Sequence, residues 1–188
     1  MVVHCISEAQ SQLVLQSLRV RLAACKLRLS EEKTKITYCK DYRRGAVKGY
    51  PVKFDFLGYS FKPMPKKSNR GGMFLGFDCE LSMKSRTRII SHWKAMNFHR
   101  QSTLNIQAIA TNLNPQIRGI INYYSRYNLE AVKSVFAYLD HRIAKWIKNK
   151  YKGVKNSYRK AHDWLRDIKT DYPTLFYHWE LFTPPRFV

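Results

Sequence analysis

Apolar residues recur along this chain in two rhythms. Between residues 7 and 26, Leu15, Leu18, Leu22 and Cys25 stand three or four apart, the spacing of one helix face. Ser7 and Gln10 form a capping-box pair in front of them, so the pattern predicts a helix over residues 7–26. Val2-Val3 reads as a strand, and a strand opening at residue 1 predicts a chain that starts in the middle of a sheet. Residues 33–39, rich in Thr, Ile and Tyr, read as a further strand. Residues 41–49 are basic and polar, carry Gly45 and Gly49, and read as a loop. Residues 53–61 alternate with period two. They predict one strand with Phe54, Phe56 and Gly58 toward one side and Asp55, Leu57, Tyr59 and Phe61 toward the other. A basic stretch, 62–72, then leads to a strand at 73–81, which closes a long-looped hairpin.

From Ser82 onward the rhythm is helical. Ile89, Ile90 and Trp93 predict a helix over 83–98, and Leu104, Ile106, Ala108 and Ile109 another over 103–113. Asn114-Pro115 reads as a fresh start, with Asn as N-cap and Pro at the first helical position of a helix running to Tyr127. Asn128 then caps a helix to about Tyr151, in which Leu129, Val132, Phe136, Leu139, Ile143 and Trp146 form the strongest apolar seam of the chain. Tyr158, Ala161, Leu165 and Ile168 predict a last helix over 154–168, stopped by Asp171-Tyr172-Pro173. The fold class is therefore α+β, with a mixed zone at 1–82 and a helical zone at 83–188.

Composition narrows the partners. The 188 residues hold 34 Lys plus Arg against 13 Asp plus Glu, a formal charge of +21. The mixed zone carries 15 basic and 7 acidic residues and the helical zone 19 and 6, so both are basic. A surplus of this size points to a polyanion and away from enzymes of small neutral metabolites. Hydrophobic residues make up 45%, which excludes a wholly disordered chain. No run of 18 apolar residues spans a membrane, and the first residues lack the pattern of a secretory signal. Cys5, Cys25, Cys39 and Cys79 show no C-x-x-C spacing and read as reduced, buried thiols of a cytoplasmic protein. No Cys/His cluster has zinc spacing, and a metal ligand set is not expected.

Several side chains carry candidate chemistry. Arg118, Asn122 and Arg126 recur at i, i+4 and i+8 and draw one cationic stripe fit to lie along phosphates, with Tyr123, Tyr124 and Tyr127 available to stack on bases and Tyr124 leaning toward the core. Gly119 beside them is a mid-helix glycine, so something must come close, a neighbouring helix before an RNA backbone. Arg142, Lys145, Lys148 and Lys152 share a face opposite the apolar seam, with only Glu130 and Asp140 to compensate. Lys62, Lys66, Lys67 and Arg70 give the hairpin loop an RNA-binding character. Gly71, Gly72 and Gly76 precede no helix and make no nucleotide loop. His92, His99 and His178 have no nucleophile or base at recognisable spacing and read as structural, and Phe176 and Trp179 as residues that dock the last segment. Asp41, Asp55 and Asp78 are separated singletons.

A family becomes visible in three places. Leu29-Ser30-Glu31-Glu32-Lys33-Thr34-Lys35-Ile36, followed by Phe54-Asp55-Phe56-Leu57-Gly58-Tyr59-Ser60-Phe61, resembles the end of the palm domain of bacterial group II intron reverse transcriptases. Residues 113–124, Leu-Asn-Pro-Gln-Ile-Arg-Gly-Ile-Ile-Asn-Tyr-Tyr, resemble the maturase-specific thumb motif of that family, domain X. Phe176-Tyr177-His178-Trp179 resembles its Phe-x-His-Trp ending. The matches run in order over nearly the whole chain.

The resemblance implies a palm remnant at 1–82 and an α-helical thumb or maturase domain at 83–188. It implies intron RNA and template–primer as partners, for RNA splicing and reverse transcription. Phe56, Leu57, Gly58 and Tyr59 would be the primer grip, and Lys33 would approach the incoming triphosphate. The family holds Mg²⁺ on a Tyr-Ala-Asp-Asp turn, after which its sequences resemble Val2-Val3-His4-Cys5. That turn would lie before Met1, and no Asp-Asp pair occurs here. No cofactor is expected in this chain, no endonuclease, and no DNA synthesis by the chain alone. Three readings stand side by side: a C-terminal piece of a reverse transcriptase/maturase, with the missing palm and fingers as a partner; a stand-alone RNA-binding splicing factor; and a basic adaptor for protein or membrane.

Overall fold

Ser7 opens the first helix as its sequence predicts. In the computed structural model, which describes residues 1–126, 128–154 and 157–182, its Oγ accepts from the Gln10 N–H at 3.2 Å and the Gln10 side chain accepts from the Ile6 N–H at 2.7 Å. Two end donors that lack helical partners are thereby satisfied. Helix α1, Glu8–Ala24, half-covers Leu15, Leu18 and Leu22 and buries none of its residues. Cys25 follows it as an exposed C-cap, so it is not the buried thiol expected. Of the four cysteines only Cys79 is buried.

Three strand expectations are corrected. Val2-Val3 and residues 33–39 are irregular, because neither finds a partner ladder. The second makes an isolated backbone bond, Tyr38 N–H to Pro51 O at 2.9 Å. The single strand over 53–61 is instead a tight hairpin: β1, Phe54–Phe56, a two-residue turn at Leu57-Gly58, and β2, Tyr59–Lys67. Leu57 and Gly58 both have positive φ, +49° and +84°, the signature of a type I′ turn, whose twist matches that of paired strands. The period-two assignment therefore fails beyond Phe56, since a turn reverses the chain there. The basic stretch is also mostly strand. β2 carries it through Lys67 to a five-residue loop, 68–72, before β3, Met73–Leu81. The sheet order is β1-β2-β3. Pro63 and Pro65 lie beyond the reach of the three-residue β1, where β2 has an open edge that tolerates a missing N–H.

The helical part holds α2 (Met83–Ala95), a 3₁₀ turn at Phe98–Arg100, α3 (Ile106–Tyr124), α4 (Glu130–Lys150), a 3₁₀ turn at Lys152–Val154, α5 (Tyr158–Asp171) and α6 (Tyr177–Phe182). The two helices expected on either side of Asn114 are one. Asn105 caps it, accepting from the Ala108 N–H at 2.7 Å, and Pro115 sits inside. Pro115 and Thr111, whose carbonyl loses its helical donor, are both exposed, where the loss is cheapest. The buried face of Ile109, Leu113, Ile117 and Ile121 carries the helix through. Asn114 is used elsewhere. Its amide donates to Leu175 O at 3.0 Å and accepts from the Tyr177 N–H at 3.0 Å, fastening the segment that leads into α6. Asn128, the expected cap of the next helix, stands one residue early: the N-cap position is Leu129, which has no side-chain cap bond, and Asn128 Oδ1 accepts from the Glu130 N–H at 3.1 Å from the preceding position.

The chain folds into two compact units. The first holds residues 1–54 and 62–77, the second 55–61 and 78–188. In the first, Tyr50 donates to Glu8 at 2.5 Å, Arg19 pairs with Glu31 at 3.1 Å, and Phe54 stacks on Phe77. In the second, α4 is packed by α2, α3, α5 and the Phe98 turn. Val132, Phe136, Leu139, Ile143 and Trp146, the predicted seam, are all buried, while Leu129 is exposed before the helix starts. Val135, Ala144 and Ile147 are buried too, so α4 is covered on more than one side. Phe176 and Trp179 are fully buried, as docking residues should be. Among the described residues no helix is long and apolar enough to cross a membrane.

Candidate nucleic-acid interface

The Leu57-Gly58 turn is held rigidly in the second unit. Ser82 N–H donates to Gly58 O at 2.9 Å, and the Tyr123 hydroxyl donates to Leu57 O at 2.9 Å. The Tyr59 hydroxyl donates to Tyr123 O. Tyr59, Tyr123 and Tyr124 form a ring cluster with centroids 4.7–6.1 Å apart. Gly58 is required twice. Its φ is positive, and a Cβ there would lie 2.8 Å from Ser85 Oγ and 2.9 Å from the Tyr124 hydroxyl. Of the four residues Phe56, Leu57, Gly58 and Tyr59, only Leu57 is exposed and Tyr59 is buried. The glycine thus serves close packing within the chain.

Beside this turn lies a groove of about 1300 Å³ between α2 and α3, every lining residue of which belongs to the second unit. Lys84, Arg88 and His92 are exposed on its α2 side, Gly119 and Tyr123 on its α3 side. Arg88 also donates to the Tyr124 hydroxyl at 3.2 Å. The sequence reading gave no role of its own to Lys84, Arg88 or Gln116. The i, i+4 spacing of Lys84 and Arg88 on a helix was the available signal.

Arg118 and Asn122 are exposed one turn apart on α3, and the Arg118 guanidinium lies 5.1 Å from the Tyr177 ring. Arg126 is exposed too, but the helix ends at Tyr124 with Ser125 as its C-cap, so Arg126 does not continue the helical stripe that the spacing predicts. Tyr124 is buried, while Tyr123 is 49% exposed. Tyr127 lies outside the described residues. Gly119 contradicts the expectation of a close helix neighbour: it is exposed, and a Cβ there would meet nothing within 4 Å.

On α4 the basic face is smaller than expected. Arg142 is 8% exposed, with its guanidinium 2.7 Å from His99 Nδ1. The helix is buried on that side as well, so Arg142 is withdrawn from the outer face. Burial first, then Arg142, Lys145 and Arg100, lower the His99 pKa to about 4, so its Nδ1 is an acceptor at neutral pH. Lys145 and Lys148 are half-buried, Lys148 with its ammonium 3.9 Å from the Tyr158 ring centroid, and Lys152 is exposed. In the first unit Lys33, Lys67 and Arg70 are exposed, whereas Lys62 and Lys66 are half-buried on β2.

His178 is structural, as expected, but more elaborately. Asp140 Oδ1 accepts from His178 Nε2 at 3.0 Å and from Trp179 Nε1 at 2.8 Å, and Oδ2 accepts from Lys169 at 2.6 Å. Burial pushes the Asp140 carboxyl up, but His178 and Lys169 outweigh it and hold the group below its ordinary value. Burial lowers His178, against the pull of Asp140. The neutral Nε2–H tautomer follows, with Nδ1 buried and unpartnered. Mg²⁺, which the resembled family uses, needs converging carboxylates. Among the described residues no three His, Cys, Asp or Glu side chains cluster, so these residues do not fit the ion.

Residues 86–164 match the family model of the group II intron, maturase-specific domain. No curated protein and no solved structure matches the chain.

Proposed function

We propose, from the match of residues 86–164 to the group II intron, maturase-specific domain, that this chain is the C-terminal part of a group II intron reverse transcriptase/maturase that binds intron RNA and assists its splicing. The family match is the observation that carries the reading. The charge of +21 and the exposed Arg118, Asn122 and Arg126 side chains support it. Action of this kind is binding. A protein that prefers the splicing-competent state of the RNA shifts the folding equilibrium toward that state by its differential affinity. In this reading residues 1–82 are the palm remnant and 83–188 the thumb, and the same surfaces grip template–primer in an intact enzyme. Phe56–Tyr59 is the primer grip and Lys33 the triphosphate contact. The phosphate-facing set is Lys62, Lys66, Lys67, Arg70, Arg118, Asn122, Arg126, Lys145, Lys148 and Lys152.

The test is affinity for a group II intron RNA across a salt series. If about six phosphates are neutralised, log K against log salt falls with a slope of about −4 to −5. The triple reversal of Arg118, Arg126 and Lys152 to Glu makes that slope shallower. A flat salt response of the unmodified chain, or preference for anionic vesicles over RNA, refutes the reading.

A further inference from the structure

Two histidines meet where α4 packs along α5. His141 lies on α4 and His162 on α5, 21 residues apart in the chain, so no local spacing marks them as a pair. Both are exposed, yet His141 Nδ1 stands 3.3 Å from His162 Nε2, with the ring centroids 5.5 Å apart. Buried neighbours fix the two backbones: Leu139 and Ile143 on α4, Ala161 and Leu165 on α5. The Tyr158 ring lies nearly parallel to the His141 ring, with 14° between their planes and 5.4 Å between centroids, and backs that imidazole. The pair is thus carried by two packed helices, which hold a site more firmly than loops do.

The gap between the nitrogens decides what it can hold. Two neutral imidazoles that each aim a lone pair at the other need an electron-pair acceptor between them, a proton or a metal ion. The observed 3.3 Å exceeds the usual length of an N–H hydrogen bond, about 2.7–3.2 Å. It matches the span of two imidazole nitrogens on one tetrahedral ion, about 3.3 Å for metal–nitrogen bonds of about 2.05 Å. Seating the ion asks each ring to tilt outward by about 35°, which the broad χ2 torsion of an exposed histidine allows. Burial first, then His162, Lys145 and Arg142, hold His141 below its ordinary pKa, so at neutral pH it is in the uncharged form that ligates. Lys145 and Arg142 also oppose an incoming cation, which keeps the affinity modest. Asp163, next to His162, is engaged by Arg166 at 2.8 Å.

We propose that His141 and His162 form a two-histidine site for a divalent transition metal of the Zn²⁺ kind, which bridges α4 to α5. Imidazole ligands suit Zn²⁺, Ni²⁺ and Cu²⁺, whereas Mg²⁺ takes oxygen. Water completes the coordination. An ion held from both helices binds the folded chain and not the unfolded one, so it stabilises the second unit. The site stands independently of the RNA-binding reading.

Isothermal titration of the full, untagged chain with ZnCl₂ at neutral pH, after its thiols are blocked with iodoacetamide, tests the proposal. A single Zn²⁺ is expected to bind and to raise the melting temperature. His141→Gln and His162→Gln are each expected to weaken binding at least about tenfold, the loss seen when even a supporting group around a metal is removed, and to abolish the thermal shift. The double variant should lose little more than either single one, because both residues serve one ion. Lys145→Gln, which removes an opposing charge, is expected to tighten binding about threefold. Both histidines are exposed, and circular dichroism of each variant checks that the fold is kept. Zn²⁺ affinity unchanged in both single variants, or no saturable binding to the unmodified chain, overturns the proposal and leaves only a hydrogen-bonded histidine pair.

Discussion

Replacing Asp140 with alanine tests whether the last segment is clamped as the structure shows. The carboxylate accepts three hydrogen bonds, from His178, Trp179 and Lys169. Its removal leaves the Trp179 Nε1–H and the His178 Nε2–H buried without acceptors, since both residues are about 1% exposed. Each stranded donor costs about 1–3 kcal/mol. Lys169, on a flexible stem and with 22% of its side chain exposed, can turn toward water and adds less. The sum is about 4 kcal/mol, in the range found for breaking a buried charge pair. For a chain of this length that lowers the melting temperature by about 8–16 °C. Asp140→Asn keeps one acceptor oxygen and should cost less than alanine, although its NH₂ then faces the Lys169 ammonium. Urea unfolding followed by circular dichroism and by tryptophan emission measures both variants. A loss below 1 kcal/mol for Asp140→Ala would mean that α6 is held by apolar burial of Phe176 and Trp179 alone, and the clamp argument would be wrong.

Gly58→Ala should destabilise the second unit by about 2–4 kcal/mol, from backbone strain at φ +84° and from overlap with Ser85 and Tyr124. A thermal melt within 2 °C of the parent would contradict it. Stability should also fall with acid between the ordinary histidine pKa of about 6.5 and the folded value of about 4 at His99. The unfolded chain binds that proton first, so lowering pH through this window favours unfolding. Urea midpoints from pH 7 to pH 4 measure the slope, and His99→Gln should flatten it. An identical slope in that variant would place the acid sensitivity elsewhere.

Much of the helical structure was legible because its signals are local and periodic. The seam from Val132 to Trp146 is buried as read, and the Ser7–Gln10 cap closes with the bonds its spacing implies. Asn114-Pro115 misled for a definite reason. The pair has the chemistry of a helix start, but a helix continues through proline when its buried face is strong and the lost bond lies in water. Arg142 misled because a helical wheel assumes one buried side, while α4 is covered on several. Residues 33–39 have strand composition without a strand. Pairing needs a second chain segment at the right place, which composition alone does not supply.

The candidate interface divides in the same way. The sequence by itself determined the positive charge, the α+β class, the shared helical exposure of Arg118 and Asn122, and the motifs that point to the maturase-specific family, all of which depend on residue identity and short-range spacing. Only the tertiary structure decided that Leu57-Gly58 is a turn fastened by tyrosines, that Asn114 secures the approach to α6, that Arg142 is buried against His99, and that Gly119 looks into an open groove. Each of these depends on which surfaces meet across dozens of residues, and no local period records that.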